Sequence, residues 1–360
     1  MPRETEHQLD ALPEHRPEHR PEHPPAHRRD AHRVHRLVSH PSYRAAAVVV
    51  LIASVMGAVF ASFYLDALGR PTARALAVGT VGAGAAQHPY VRALDEATSH
   101  GLVLRPFATV AQAERAVELQ ELYAVAVVGD DGTVRLETSS ASGASVARVL
   151  GQASTAAQEA TGTRLTTTDL HPLPPSDPSG LSAFYVTIAA TIIGFIGTFQ
   201  LRANARPLSL REWLVTTGCL AVLASLLIVV AADRLLGLPL PFLETWWALG
   251  LQIATASAFS AVMSVLIGRW ALLPTWTVFV LLGNTSSGGA VSPALLPQPF
   301  AFLHQWLPSG ATVSALRAAA YFPDTERWGP RLVLLAWALA CVTALVVVCR
   351  RRGTSPGAAD

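Results

Sequence analysis

The chain has 360 residues, of which 51% are hydrophobic and 14% are charged, and its formal net charge is +2. This balance excludes an ordinary soluble domain and indicates a membrane protein with several spanning helices and one polar domain. All 27 positions counted as Lys or Arg are Arg, so the chain offers no lysine for a phosphate-binding loop or a Schiff base.

Residues 1–44 contain the repeat PEHRPEHRPEHPPAHRR, which spaces four histidines at intervals of four. On a helix this spacing would align imidazoles for a metal ion. Prolines recur at the same interval, however, and they prevent a regular helix. We therefore predict a disordered His/Pro/Arg-rich cytoplasmic tail, with weak binding of metal or anionic lipid as the alternative.

The first apolar run, about 45–65, predicts a transmembrane helix, because about 20 apolar residues cross a bilayer of about 30 Å. Its apolar core is longer than that of a usual signal peptide, and more than forty residues precede it. We therefore expect an anchor that is not cleaved.

Residues 66–180 predict an α/β domain outside the membrane, with elements in the order β-α-β-α-β-β-α and a mixed sheet. Thr109 and Gln112 match a capping box for the second helix, which is predicted over residues 110–123. Asp131-Gly132 predicts the turn of a hairpin. The domain has more carboxylates than arginines, so nucleic acid is not an expected partner.

Five further spans are predicted at residues 181–350, of which four are long apolar runs: 181–201, 212–231, 245–267 and 329–349. The fifth, 270–283, is short and contains Pro274, so we expect it to be completed by the segment that follows. The predicted fold class is an α-helical polytopic membrane protein with six spans, an outer re-entrant helical hairpin and an inserted extracytoplasmic α/β domain.

Arginine clusters set the expected orientation, because cytoplasmic loops carry an excess of basic residues. One cluster precedes the first span, a second occupies 202–211, and a third, at 350–352, overlaps the start of the predicted cytoplasmic tail 351–360. With six spans all three fall on the cytoplasmic side. The expected location is a bacterial plasma membrane, with both termini cytoplasmic and residues 66–180 extracytoplasmic.

The segment 284–322 is too rich in Gly and Pro for a spanning helix and too apolar for an exposed loop. It contains two short amphipathic helical patterns, at about 294–305 and 310–321. Irregular backbone at membrane depth requires shelter by protein or a water-filled cavity. We therefore predict a re-entrant hairpin in the outer leaflet, entered at Gly288-Gly289. The alternative is an amphipathic loop on the membrane surface.

This segment resembles the re-entrant segment of type-2 ABC transporter membrane subunits, particularly the phage-infection-protein-like branch. These subunits share paired glycines, a proline, an apolar helix, a second proline and a downstream arginine. The matching positions here are Gly288, Gly289, Pro293, Pro297, Pro308 and Arg317. The stretch PLPPSDPSGLSAFYVTIAATIIGF resembles the start of the family's second span, with Asp177 and Gly180. Taken together, the resemblance covers most of residues 45–350.

The resemblance implies a permease subunit that works as a homodimer or paired permease with a separate ATPase. The family commonly docks its ATPase on an amphipathic cytoplasmic helix. The candidates here, RDAHRVHRLVSH and RANARPLSLRE, are both short.

Polar residues within spans are candidates for a transport path or for helix packing, and the sequence leaves both open. They are Gln252, Thr255, Ser257, Ser260 and Ser264, together with Gly194 and Gly197. In the hairpin, His304 and Arg317 are candidates to attract an anionic headgroup. The alternative is a satisfied interfacial His and a snorkelling Arg.

No cofactor, metal site or enzymatic activity is expected, because no nucleophile–base pair, metal-ligand cluster or phosphate loop has a recognisable spacing. The three cysteines, Cys219, Cys341 and Cys349, match no metal or redox motif. The expected function is export of an amphipathic or lipid-like molecule. The alternative is a non-transporting scaffold or receptor that displays the α/β domain.

Overall fold

The computed structural model describes residues 41–69, 71–205, 208–238, 240–325 and 327–357. The predicted His/Pro/Arg-rich tail up to residue 40 lies outside these ranges, and so does the candidate coupling segment RDAHRVHRLVSH. The chain divides after Val59 into two compact units. The described residues of the first unit, 41–59, form the first part of the first helix. The second unit contains residues 60–360.

The described helices and strands are numbered in chain order. The helices are α1 (Pro41–Leu68), α2 (Pro89–Ala97), α3 (Val110–Glu118), α4 (Ala144–Thr161), α5 (Ser182–Asn204), α6 (Leu210–Val230), α7 (Phe242–Ile267), α8 (Leu272–Trp276, continued by Thr277–Leu282 and Gly283–Thr285), α9 (Gln298–Trp306), α10 (Pro308–Tyr321) and α11 (Trp328–Arg352). The strands are β1 (Leu76–Val81), β2 (Leu102–Phe107), β3 (Ala124–Val128), β4 (Val134–Thr138) and β5 (Leu165–Asp169).

Five helices among the described residues are long and apolar enough to cross a membrane. They are Tyr43–Leu68, Ser182–Asn204, Leu210–Leu235, Phe242–Thr285 and Trp328–Arg352. The structure is thus mostly helical, with a small mixed sheet, as a polytopic membrane protein with one polar domain requires.

The fourth of these apolar helices folds back on itself. Gly268, with φ of 58°, ends α7, and a short 3₁₀ turn leads into α8. The rings of Phe259 and Phe279 have centroids only 5.5 Å apart. In an unbroken helix, twenty residues would separate them by about 30 Å. The 44 residues therefore form two antiparallel arms, at the positions where two separate spans were predicted. The second arm is π-helical over Thr277–Leu282, just after Pro274.

A helical bundle is formed by α5, α6, α7, α8, α10 and α11. Its apolar side chains lie outside and its small or polar side chains inside, which is the reverse of a water-soluble bundle. Large apolar side chains on its surface are more than half exposed, including Leu223, Leu227, Leu243 and Leu339. Small or polar side chains are buried between the helices, including Thr191, Ser225, Gln252 and Ser260. This is the pattern of helices whose outer faces contact lipid and whose close approach depends on small residues.

The α/β domain contains a five-stranded sheet in the order β2-β1-β3-β4-β5. All neighbours are parallel except β3 and β4, which form an antiparallel hairpin. Helices α2 and α4 share a core with one face of the sheet, and α3 packs against the other. The hairpin turns at Asp131-Gly132 as predicted. There the Asp131 carboxylate accepts hydrogen bonds from the Thr133 amide and hydroxyl at 3.0 and 2.7 Å, which lowers the pKa of Asp131.

Two details of this domain differ from the sequence prediction. Strand β5 was missed, because LTTTD is a short and largely exposed edge strand without apolar alternation. Helix α3 ends at Glu118, whereas the prediction extended it to Tyr123. Gln120, with φ of 57°, directs the chain into β3 instead. The Thr109 side chain accepts a hydrogen bond from the backbone N–H of Gln112 at 3.3 Å. This bond is one half of the predicted capping box.

The core of the α/β domain extends beyond residues 66–180. Val291, Leu295, Leu296 and Phe300 are buried in the same apolar cluster as the sheet and its α2–α4 face. Backbone contacts fix them there, since the Arg74 amide donates to the Ala294 carbonyl at 2.9 Å. The predicted helix at about 294–305 accordingly begins later, at Gln298, and the residues before it complete the domain.

Substituting Gly194 should destabilise the bundle. A Cβ there would lie 2.7 Å from the Ile253 carbonyl oxygen and 2.8 Å from the Ala256 Cβ. We expect Gly194→Ala to cost about 1–3 kcal/mol by separating α5 from α7. Gly218→Ala is the control, because a Cβ at Gly218 meets no atom within 4 Å and replaces a flexible residue inside a helix. Thermal unfolding in detergent should show a lower midpoint for the first variant only, and equal midpoints would refute this packing.

Candidate functional site

Helices α9 and α10 form a hairpin that enters the bundle and turns at Leu307-Pro308. The indole N–H of Trp337 donates to the Trp306 carbonyl at 2.6 Å, and the Gln252 amide donates to the Ser309 hydroxyl at 3.3 Å. Trp337 lies nine residues into α11, and Gln252 lies ten residues into α7. At 1.5 Å per residue, the tip is therefore about 15 Å below the ends of these helices.

Prolines begin each short element of this segment. Pro293 opens a 3₁₀ turn, Pro297 precedes α9 and Pro308 is the first residue of α10. A proline there has no N–H to leave unsatisfied and already has the helical φ. The prolines identified in the sequence thus set where the chain changes direction.

The Gly288-Gly289 turn precedes the hairpin, where the chain passes between α5 and α9. Gly288 has φ of 71°, and a Cβ there would lie 2.8 Å from the His304 ring. A Cβ at Gly289 would lie 2.5 Å from the Phe184 Cβ. No side chain fits at either position without displacing its neighbour.

Arg317 joins this turn to the returning arm of the hairpin. Its two terminal nitrogens donate to the Gly288 carbonyl at 3.2 Å and to the Gly289 carbonyl at 3.4 Å. The paired glycines and the downstream arginine, which the sequence singled out together, are therefore in direct contact. We call this contact the glycine–arginine clamp.

His304 lies outside the five apolar helices and has both ring nitrogens in hydrogen bonds. Its Nδ1 lies 3.0 Å from the Ser286 carbonyl, which can only accept, and its Nε2 lies 3.2 Å from the Ser314 hydroxyl. Burial lowers the pKa of His304 to about 4; the hydrogen bond to Ser286 opposes this effect and the charge of Arg317 adds to it. The ring is neutral at physiological pH and attracts no anion by its own charge.

Asp177 and Gly180 form the turn at the start of α5. Gly180 has φ of 64°. The buried Asp177 carboxylate accepts from the amides of Leu181 and Ser182, at 2.9 and 3.2 Å, and from the Ser182 hydroxyl. It also accepts from the Tyr321 hydroxyl at 3.3 Å, which ties the start of α5 to the end of α10.

Gln252 connects three helices in the middle of the bundle. Its amide N–H groups donate to Thr191 on α5 at 2.8 Å and to Ser309 on α10, and its carbonyl accepts from Thr312 at 3.0 Å. The side chain is completely buried. This polar cluster therefore holds the tip of the hairpin against α5 and α7.

The remaining polar candidates of α7 also make packing contacts. Ser257 donates to the Gly194 carbonyl at 3.0 Å, while Thr255 and Ser260 donate to carbonyls one turn earlier in their own helix. The Ser264 hydroxyl has no hydrogen-bond partner. Gly197 lies against Leu220 of α6, where a Cβ would come within 2.5 Å of that side chain.

The end of the bundle opposite the hairpin gathers arginines, and we call it the arginine end. Arg202 donates to the Ser264 carbonyl at 3.0 Å, and Arg352 donates to the Val265 carbonyl at 2.6 Å. The loop after α5, the bend after α7 and the end of α11 therefore lie together. Helix α5 ends at Asn204 and α6 begins at Leu210, so the described residues of RANARPLSLRE contain no separate helix.

A small cavity of about 70 Å³ lies where the α/β domain meets the hairpin. It is lined by Gln120, Tyr123, Ser142, Pro293, His304, Ser314, Arg317 and Arg327. Three of these residues were not predicted from the sequence: Gln120, Tyr123 and Arg327. None of them belongs to a recognisable motif, and Gln120 and Arg327 are 207 positions apart in the chain. No spacing signal could have joined them.

The chain matches no protein-family model, no curated protein and no solved structure. The resemblance to type-2 ABC transporter subunits therefore remains a prediction based on the quoted motifs.

Replacing Asp177 should loosen the start of α5. We expect Asp177→Asn to cost about 1–3 kcal/mol, because it weakens hydrogen bonds to two amides and two hydroxyls. Asp130→Asn, an exposed position in the β3–β4 turn, is the control and should have little effect. Thermal unfolding of the purified chain measures the difference. If the two variants unfold at the same temperature, Asp177 does not carry the role assigned to it.

Proposed function

We propose that the chain is the membrane-spanning permease subunit of an exporter that a separate ATPase energises. The observation that carries this proposal is the hairpin, which enters the bundle from the end that bears the α/β domain and stops about halfway. Such an element can open or close one side of a membrane path without itself crossing the membrane.

The proposed topology has six spans, with the two arms α7 and α8 counted separately. Two observations support it. The arginine end collects Arg202 in the last turn of α5 and Arg352 at the end of the C-terminal helix, as a cytoplasmic face does. Thr325 and Arg327 hydrogen-bond to Glu118 and Gln120 of the α/β domain, which places the domain at the opposite end of the bundle. In this orientation residues 66–180 are extracytoplasmic.

The charge distribution favours an amphipathic or lipid-like substrate. In the described apolar helices, with α7 and α8 taken separately, every Asp, Glu and Arg lies within four residues of a helix end or in the bend at Gly268. The bundle therefore offers no ion or proton relay across the membrane. A molecule with an apolar body and a polar head needs none, because it keeps its apolar part in lipid.

The hairpin also presents an apolar outer surface. Phe302 and Trp306 on α9 are 60% and 58% exposed. At the depth of the hairpin, such side chains suit contact with lipid chains or with a second permease subunit. We therefore include a homodimer or paired permease in the proposal.

A second function, a scaffold or receptor that displays the α/β domain, is favoured by two observations. The described residues between α5 and α6 contain no helix on which an ATPase could dock. The domain is also joined to the hairpin through residues 291–301, which suits a receptor that transmits a signal into the bundle.

The exporter proposal is tested by purifying the tagged chain from native membranes and identifying the proteins that accompany it. We expect an ATPase that co-purifies, and nucleotide-dependent movement of a fluorescent amphipathic lipid analogue after reconstitution. Replacing the P-loop lysine of that ATPase should abolish the movement, because its nucleotide phosphates lose their positive partner. Recovery of an extracytoplasmic partner without any ATPase, and without lipid movement, would favour the scaffold instead.

Deleting most of the α/β domain, residues 70–178, would not distinguish the exporter from the scaffold. The deletion would expose Val291, Leu295, Leu296 and Phe300, which complete the core of the domain. Loss of function would then follow from unfolding of the hairpin in either case.

A further inference from the structure

The cavity between the α/β domain and the hairpin carries an excess of positive charge. Arg317 and Arg327 both line it. None of the ion pairs found among the described residues includes Arg317 or Arg327, and no carboxylate lines the cavity. The carboxylate of Asp177 offsets part of the charge of Arg317, but it does not line the cavity, and it accepts its hydrogen bonds from Leu181, Ser182 and Tyr321.

Hydrogen-bond donors in the cavity exceed the acceptors available to them. Arg317 gives two of its five N–H groups to the glycine carbonyls, and Arg327 gives one to the Gln120 side-chain oxygen at 2.7 Å. The amide nitrogen of Gln120 is buried and has no partner. A buried donor of this kind costs free energy unless a ligand or water satisfies it.

These donors match one kind of ligand. Guanidinium groups recognise oxyanions through parallel N–H bonds, and amide and hydroxyl donors can occupy the remaining oxygen atoms. A cavity of about 70 Å³ admits a group of a few heavy atoms but not a whole lipid. His304 is neutral and shapes the wall without adding charge.

We propose that this cavity binds a phosphate group. The two arginines neutralise its charge, and the Gln120 amide fills one of its oxygen positions. Because Arg317 belongs to the hairpin and Gln120 to the α/β domain, a bound phosphate ties the two together. The proposal concerns binding alone and does not depend on whether the chain transports anything.

Binding is tested on the full chain in a zwitterionic detergent by its thermal unfolding midpoint. One probe is inorganic phosphate, compared with chloride at equal ionic strength. The other is short-chain phosphatidylglycerol, compared with an uncharged diacylglycerol of the same chain length. A ligand that binds only the folded state raises the midpoint as its concentration exceeds the dissociation constant.

Arg327→Gln should weaken the effect at least tenfold, because one of the two charges is removed at an exposed position that folding tolerates. Arg105→Gln is the matched control, since it removes an exposed arginine from the edge strand β2, away from the cavity. Gln120→Glu should abolish the effect and raise the midpoint without any ligand, because the new carboxylate pairs with the arginines. This second variant decides the question if Arg327→Gln does not fold.

Stabilisation by inorganic phosphate supports the site with a free phosphate as its source. Stabilisation by phosphatidylglycerol alone supports the site with a lipid headgroup as its source. The proposal is overturned if neither probe raises the midpoint, or if Arg327→Gln and Gln120→Glu respond as strongly as the unmodified chain.

Discussion

Backbone that is not helical must find hydrogen-bond partners within the protein when it lies at membrane depth, and this constraint organises the end of the chain. Residues 286–292 leave helical geometry, and several of their backbone polar groups have hydrogen-bond partners in distant elements. Ser286 bonds to His304, Gly288 and Gly289 bond to Arg317, and the Ser292 amide donates to Ser145 at 2.9 Å. The irregular segment can exist there because the hairpin and the α/β domain both supply partners.

The same contacts connect the α/β domain to the bundle. The chain leaves α8, turns at the glycine–arginine clamp, completes the core of the α/β domain with Leu295 and Phe300, and then descends along α9. The domain and the hairpin tip are therefore connected through α9, and Gln252 holds the tip against α5 and α7. This arrangement suits a gate that responds to events outside the bundle.

Much of this architecture could be predicted from the sequence, because it depends on local rules. Apolar length predicted the five long apolar helices, and the two short helices of the hairpin were predicted at about 294–305 and 310–321, within four residues of the starts of α9 and α10. The Asp131-Gly132 pair gave a hairpin. Two separate spans were predicted where the structure has two antiparallel arms, because the sequence has two apolar runs there, 245–267 and 270–283.

The contacts that join distant elements could not be predicted, because nothing in local spacing specifies them. Phe300 lies in an amphipathic pattern that was predicted to enter the outer leaflet, yet its side chain is buried in the same cluster as α2 and α4 of the domain. The sequence identified Gln252 but not its partners Thr191 and Thr312, which lie about 60 positions away in opposite directions. Arg327 belongs to no motif in the sequence, and only the fold places it beside Gln120.

The central claim is that the hairpin descends into lipid with the bundle as its shelter, and a depth measurement tests it most directly. Nitroxide labels can be placed at Gln305→Cys near the tip and at Gln298→Cys at the start of α9, two exposed positions about 10 Å apart along the helix. In lipid nanodiscs, we expect oxygen to relax the label at 305 more strongly than a water-soluble nickel chelate does. At 298 we expect the nickel chelate to have the stronger effect. A label at 305 that the nickel chelate reaches as freely as the label at 298 would contradict the account.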